Sequence, residues 1–232
     1  NKMMYPASTT KLMTAILVLE KCQLTDVATV SNSAVDSVPA GYSTAYLQKG
    51  EKLTIEQLLH VLLIPSANDA ANVLAEHVGG SIANFANMMN SKAKEIGCEN
   101  TNFKNPSGIH DENHYSTAYD MAILTSHALD NELFSSVCSM QSAEITINSK
   151  PQTIYNHNKL LYKTEDCIGV KTGYTEKSGR CLVSAFNYKK STIIIVTLNA
   201  YDDWNDHQKI LDFSKKRYRV YSKAEEIPID VV

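Results

Sequence analysis

Residues Cys167 to Phe186 read CIGVKTGYTEKSGRCLVSAF, and this stretch decides the fold. Alternation with β-branched residues over Cys167 to Thr172, turn formers over Gly173 to Gly179 and an apolar run from Arg180 to Phe186 predict a β-hairpin. Strict alternation places Ile168 and Val170 on one face and Lys171 with Gly169 on the other. A strong third strand follows over Thr192 to Leu198, and a helix starts near Trp204. From Ala143 onward the chain alternates as strands. Before that, helical spacing dominates: Ile55 to Leu63, Ala70 to His77, Ile82 to Ile96 and Ala118 to Leu129, the last opened by Thr117-x-x-Asp120. Strand-like pieces lie around Val27 to Val30, followed by a Gly/Ser/Thr loop through Gly41, Ser43 and Thr44. The expectation is an α/β (α+β) unit. Its antiparallel sheet is covered by helices, with a helical subdomain at about 50–130 inserted between an N-terminal helix and the sheet. The cleft between the two parts is where an active site belongs.

Three polar motifs fall around that cleft: Ser8-Thr9-Thr10-Lys11, Ser66-Ala67-Asn68 and Lys171-Thr172-Gly173. Pro6 and a small polar run precede Leu12, Ala15, Ile16 and Leu19 at helical spacing, so Ser8 starts a helix, facing its unpaired amides. Lys11 is one turn further on the same face and can reach the Ser8 hydroxyl. An ammonium cannot accept a proton, so Lys11 needs its pKa lowered by burial and by a neighbouring cation, for which Lys171 is the candidate. Ser91-Lys92-Ala93-Lys94 repeats the Ser-x-x-Lys spacing inside a polar helix and reads as a solvated face. Ser66 has a plainer alternative as an N-cap for the helix Asp69 to His77. Lys171 and Thr172 lie on an edge strand with a glycine, which lets a peptide-like substrate approach the backbone and pair with it.

The chain resembles the serine-type D-alanyl-D-alanine carboxypeptidases, the low-molecular-mass penicillin-binding proteins of the DD-peptidase/serine β-lactamase superfamily. The likeness runs nearly end to end, through Pro6 to Lys11, Leu63 to Ala70, Asn105-Pro106-Ser107-Gly108, His114 to Ala118 and Val170 to Thr175. It implies a β-lactamase/transpeptidase-like fold with Ser8 as acylated nucleophile, Lys11 as its base and Ser66 as proton relay. Asn68 would donate to the substrate's amide backbone. Lys171 and Thr172 would hold the terminal carboxylate, and Gly173 and Tyr174 would complete the substrate site. The backbone amides of Ser8 and Tyr174 would form the oxyanion hole. Many relatives add an arginine after the last strand. Asn199 to His207 contains none here, so carboxylate recognition is expected to rest more heavily on Lys171 and Thr172. The implied partners are peptidoglycan stem peptides ending in D-Ala-D-Ala and β-lactam antibiotics as covalent inhibitors. The implied location is the extracytoplasmic cell envelope. A class A β-lactamase shares the three motifs, but no Glu-x-x-Leu-Asn block lies between Asn68 and Lys171. A silent wall-binding module would have no need of a depressed lysine.

Composition agrees. At 232 residues and 44% hydrophobic content the chain supports one sizeable unit, and a net charge of −3 argues against nucleic acid. The basic cluster Lys215-Lys216-Arg217 with Arg219 sits late in a helix and reads as a solvated face. Five cysteines, Cys22, Cys98, Cys138, Cys167 and Cys181, show no metal spacing, and the site calls for neither metal nor cofactor. Cys167 and Cys181 flank the hairpin, which leaves a cross-strand pair open, although regular strand pairs seldom meet disulfide geometry. His60, His77 and His127 fall in helical patterns and are expected to be packed or hydrogen-bonded. His110 and His114 fall in a polar loop, and none is given a catalytic role. The resemblance places a catalytic unit at 1–222, without the strand hairpin that relatives carry ahead of the serine motif. Residues 223–232 would then start a linker to an absent C-terminal β domain. Membrane attachment would come only through a missing C-terminal anchor.

Overall fold

The N-terminal helix α1, Lys11–Lys21, is buried on nearly every side, with Leu12, Met13, Ala15, Ile16, Leu17 and Val18 all in the core. A helix apolar all round belongs at the centre of its unit, and the others pack about it. The computed structural model describes residues 2–217. Around α1 stand α3 (Ile55–Leu63), α4 (Asn68–Gly79), α5 (Ile82–Glu95) and α6 (Ala118–Leu129), after a short α2 (Asn32–Asp36). Helix α3 opens on a full capping box, in which Thr54 Oγ1 accepts from Gln57 N and Gln57 Oε1 accepts from Thr54 N. Thr117 caps α6 in the predicted way. Asp120, however, turns its carboxylate to Asn100 N and Thr101 Oγ1, both at 2.7 Å, and ties the preceding loop instead of closing a box.

Among the described residues the strands form three antiparallel pieces, of which one is the helix-covered sheet. Strand β1 (Val27–Thr29) pairs with β2 (Lys52–Thr54), and β3 (Ser142–Ile147) with β4 (Lys150–Tyr155). The principal sheet has the order β5 (Cys167–Thr175), β6 (Gly179–Tyr188), β7 (Ser191–Ala200), with β5 at its edge. The expected hairpin is longer than its turn residues suggested: β5 runs on through Gly173 to Thr175. The tight turn is held by Ser178, whose Oγ accepts from Thr175 N at 2.8 Å. Val183 and Ala185 face the helical core, while Leu182, Phe186 and Ile195 face the other way. There they meet Leu211 of α8 (Asp203–Arg217), so helices cover both faces. Ser184 on that outer face bonds His207 Nδ1 at 2.6 Å, and Thr197 bonds His207 Nε2 at 3.0 Å.

Several expectations need correction. A register shift between Cys167 and Gly169 breaks the predicted alternation, so Gly169, Val170 and Lys171 are all buried. Gly169 is also where α7 (Glu132–Ser139), not foreseen from the sequence, presses closest: a Cβ at Gly169 would meet Cys138 Cβ at 3.0 Å. Cys167 pairs with Phe186 and Cys181 with Gly173, so the two do not meet, and all five cysteines are free thiols. His77 and His127 are exposed, with His127 3.5 Å from Glu20, whereas His60 Nδ1 lies 2.8 Å from Glu56 O. His114 is buried. Lys92 is not free in solvent: it bridges Glu20 and Glu95. Arg219 and the proposed linker at 223–232 lie outside the described residues.

Candidate active site

Pro6 leads into a 3-10 turn, Ala7–Thr10, which passes directly into α1. Three residues per turn place residue i+3 above residue i, so the side chain of Lys11 rises over Ser8. Lys11 Nζ donates to Ser8 Oγ at 3.0 Å, to Asn68 Oδ1 at 2.7 Å and to the Ser107 carbonyl at 2.9 Å. These three bonds match three ammonium hydrogens. A neutral amine keeps two donors for Asn68 and Ser107 and turns its lone pair on the serine hydroxyl. Burial drives the Lys11 pKa well below its ordinary value and the charge of Lys171 adds to this, while Asp69 opposes it. The Asp69 carboxylate is engaged by the backbone N–H groups of Ala45, Leu47 and Ala70.

Asn68, not Ser66, begins α4. The N-cap is Ala67, so Ser66 is no helix cap, and it stands at a φ of 64° with 4% exposure. That conformation costs a non-glycine residue about 1–3 kcal/mol and persists where surroundings hold it. Ala7, just ahead of the nucleophile, is left-handed too, at a φ of 48°. Both Asn68 N and Nδ2 donate to Ser43 O at 2.9 Å, which fixes the amide with Oδ1 toward Lys11 and uses one Nδ2 hydrogen.

The edge strand closes the other wall. Lys171 is 2% exposed, its Nζ donates to Thr172 O at 3.2 Å, and burial lowers its pKa to about 8. A Cβ on Gly173 would lie 3.0 Å from Ser8 N and 3.1 Å from Ala7 Cβ, so glycine is what lets β5 come against the nucleophile's turn. Ser8, Ser66, Asn68, Thr172, Gly173 and Tyr174 all line one cleft of about 1000 Å³. All eight residues singled out from the sequence therefore gather at this cleft, Lys11 and Lys171 from beneath its lining.

Three further contributors were not assigned roles from the sequence. The Ser107 carbonyl supplies the third partner of Lys11. Gly108, at a φ of +82°, packs against Ala7 so closely that a Cβ would lie 1.8 Å from its carbonyl oxygen. The third is Arg180, which lines the cleft across the hairpin from Tyr174 and beside Ala200 of β7. Its side chain is 54% exposed and only loosely held, 3.8 Å from Asp203. The segment from the end of the last strand onward, Asn199 to His207, carries no arginine. The hairpin register brings one to the cleft from the neighbouring strand instead.

A D-alanyl-D-alanine carboxypeptidase family model (peptidase S11) matches residues 1–202. The D-alanyl-D-alanine carboxypeptidase DacF of Bacillus subtilis is 34% identical over 230 residues, covering 95% of this chain and 58% of its own length. DacC of Escherichia coli is 34% identical over 218 residues, covering 89% of this chain and 54% of its own. The chain thus spans about half the length of the curated relatives it matches. Among solved structures, the Streptomyces K15 DD-transpeptidase superposes with a TM-score of 0.85 at 31% identity, over 92% of this chain and 89% of that one.

Proposed function

The chain belongs to the D-alanyl-D-alanine carboxypeptidase family, and on that footing we propose that it removes the terminal D-alanine from peptidoglycan stem peptides. The observation that carries the proposal is a buried lysine amine, depressed in pKa, 3.0 Å from a serine hydroxyl at a cleft floor. That is an activated nucleophile with its base in place.

In this reading Ser8 Oγ attacks the carbonyl carbon of the penultimate D-alanine while the Lys11 amine takes its proton. The oxyanion is received by the Ser8 and Tyr174 backbone N–H groups, which the absence of a Cβ at Gly173 allows to approach. Ser66 relays that proton from the Lys11 ammonium to the leaving nitrogen, the C–N bond breaks, D-alanine departs and the amine is free again. Water then attacks the Ser8 ester, giving its proton to the amine, which returns it to Ser8 Oγ as the ester C–O bond breaks and the shortened peptide leaves. The peptide lies along the open edge of β5, with the remaining Asn68 N–H on its amide backbone. Lys171, Thr172 and Arg180 read the terminal carboxylate, Arg180 offering a planar fork suited to it.

A β-lactam enters by the same attack. Its ring opens, the amine stays tethered, and the ester persists. Because the substrate is wall peptide, the site of action is extracytoplasmic. No helix among the described residues is long and apolar enough to cross a membrane. The test is labelling with a fluorescent penicillin and mapping of the labelled peptide. The label is expected on Ser8, lasting, and lost in Ser8→Ala with unchanged melting. Label on another serine would overturn the assignment, and rapid loss of label would favour a β-lactamase.

A further inference from the structure

Helices α1 and α4 both start at the active site, one at Lys11 and the other at Asn68, joined there by a 2.7 Å hydrogen bond. They pack against each other. Their far ends converge on a group the sequence did not reveal, because its members come from separate elements. Cys22 caps α1, Asp26 lies in the turn that follows, and His77 is in the last turn of α4. The Cys22 thiol, an Asp26 carboxylate oxygen and a His77 ring nitrogen all lie within 4.8 Å of one another.

Thiolate, imidazole and carboxylate together are a borderline-soft donor set. They suit Zn²⁺ or its spectroscopic substitute Co²⁺, and not Ca²⁺ or Mg²⁺, which take oxygen alone. Two helix carboxyl ends add partial negative charge at the same place, which favours a cation. The carboxylate is already oriented, since Asp26 Oδ2 accepts from Gln23 N at 2.8 Å, and its other oxygen is left to a ligand. Cys22 is half-buried while Asp26 and His77 are exposed, so an ion has an open path and room for a water.

We propose that Cys22, Asp26 and His77 form a zinc site, with water in the fourth position, that staples the far ends of the two helices carrying Lys11 and Asn68. Binding replaces the Cys22 S–H bond by a sulfur–zinc bond and releases one proton to solvent. The site stands apart from the cleft, and the proposal does not depend on the peptidase reading.

The test is a Co²⁺ titration of the metal-free protein under reducing conditions, followed by displacement with Zn²⁺ and thermal melting with and without Zn²⁺. The expected result is a thiolate-to-cobalt charge-transfer band saturating at one equivalent, bleached by Zn²⁺, with a higher Tm in Zn²⁺. Cys22→Ser should abolish the band. His77→Gln, a surface change with little bearing on folding, should weaken cobalt affinity at least about tenfold while penicillin labelling is unchanged. No thiolate band in the wild-type protein, or a band of undiminished affinity in His77→Gln, would overturn the site.

Discussion

Gly108→Ala tests how the nucleophile's turn is held, because a single methyl group is added against a named backbone atom. Gly108 has a φ of +82°, and the new Cβ would stand 1.8 Å from Ala7 O, 2.3 Å from Ala7 C and 2.9 Å from Thr10 Oγ1. Real Cβ contacts stay at 3.0 Å or beyond, so the gap to Ala7 O must open from 1.8 to at least 3.0 Å. The turn carrying Ser8 therefore shifts by more than 1 Å, unless the Ser107–Gly108 segment retreats and takes the Ser107 carbonyl off Lys11. A misplacement of about 1 Å at a reacting group costs on the order of 100-fold. The left-handed backbone adds about 1–2 kcal/mol of strain. Gly97→Ala separates the two effects, since Gly97 has a φ of +89° with nothing within 4 Å of the added methyl. The assay is the rate of acylation by a fluorescent penicillin, with Tm measured alongside. Gly108→Ala should acylate about 100-fold more slowly, while Gly97→Ala loses some Tm and acylates normally. Equal acylation rates in Gly108→Ala and wild type would refute the idea that this contact positions Ser8.

Lys11→Arg keeps a cation in the same pocket and removes any accessible neutral form, so acylation should fall by several orders of magnitude in a single-turnover assay. A fall of less than about tenfold would place the base elsewhere. Arg180→Leu should lower kcat/KM by about 10- to 150-fold for a peptide with a free terminal carboxylate, the 1.5–3 kcal/mol of a hydrogen bond to a charged group. Amidation of that terminus should erase the difference. Thr172→Val should act the same way more weakly. A proportionate loss on both substrates would make Arg180 a structural partner of Asp203 instead. Burial holds His114 and His207 to about 4 against an ordinary 6.5. The unfolded chain therefore takes up protons first as pH falls from 6.5 to 4, and stability is lost through that window, up to about 3 kcal/mol for each. Melting curves over that range should flatten in His207→Gln; an unaltered slope would mean that other groups carry the loss.

The parts of the site that are local in sequence were legible. Ser8 and Lys11 are three apart at a helix start, Ser66 and Asn68 frame the start of another, and Lys171 to Tyr174 follow one strand. Each grouping is set by short-range periodicity that the packed structure keeps. The helices α3 to α6 and the strands β5 to β7 were legible for the same reason. What was not legible depends on tertiary approach. The carbonyl of Ser107 reaches Lys11 only because its loop crosses α1, and a carbonyl has no sequence signature. Arg180 enters the cleft through a register that a wrongly long turn, Gly173 to Gly179, concealed. Helix α7 has only eight residues, Glu132–Ser139, too few for periodicity to stand out. For Ser66 a cap stood beside the relay role as the plainer alternative, because serine serves both purposes. Its left-handed backbone, which excludes capping, appears only in three dimensions.

The most direct test of the peptidase reading is incubation of the protein with a stem pentapeptide ending in D-Ala-D-Ala, followed by mass spectrometry of peptide and protein together. The expected result is release of one D-alanine per peptide, an acyl-enzyme trapped by rapid acid quench on Ser8, and neither event in Ser8→Ala. An unchanged pentapeptide with no acylated protein, or product formation that survives Ser8→Ala, would contradict it.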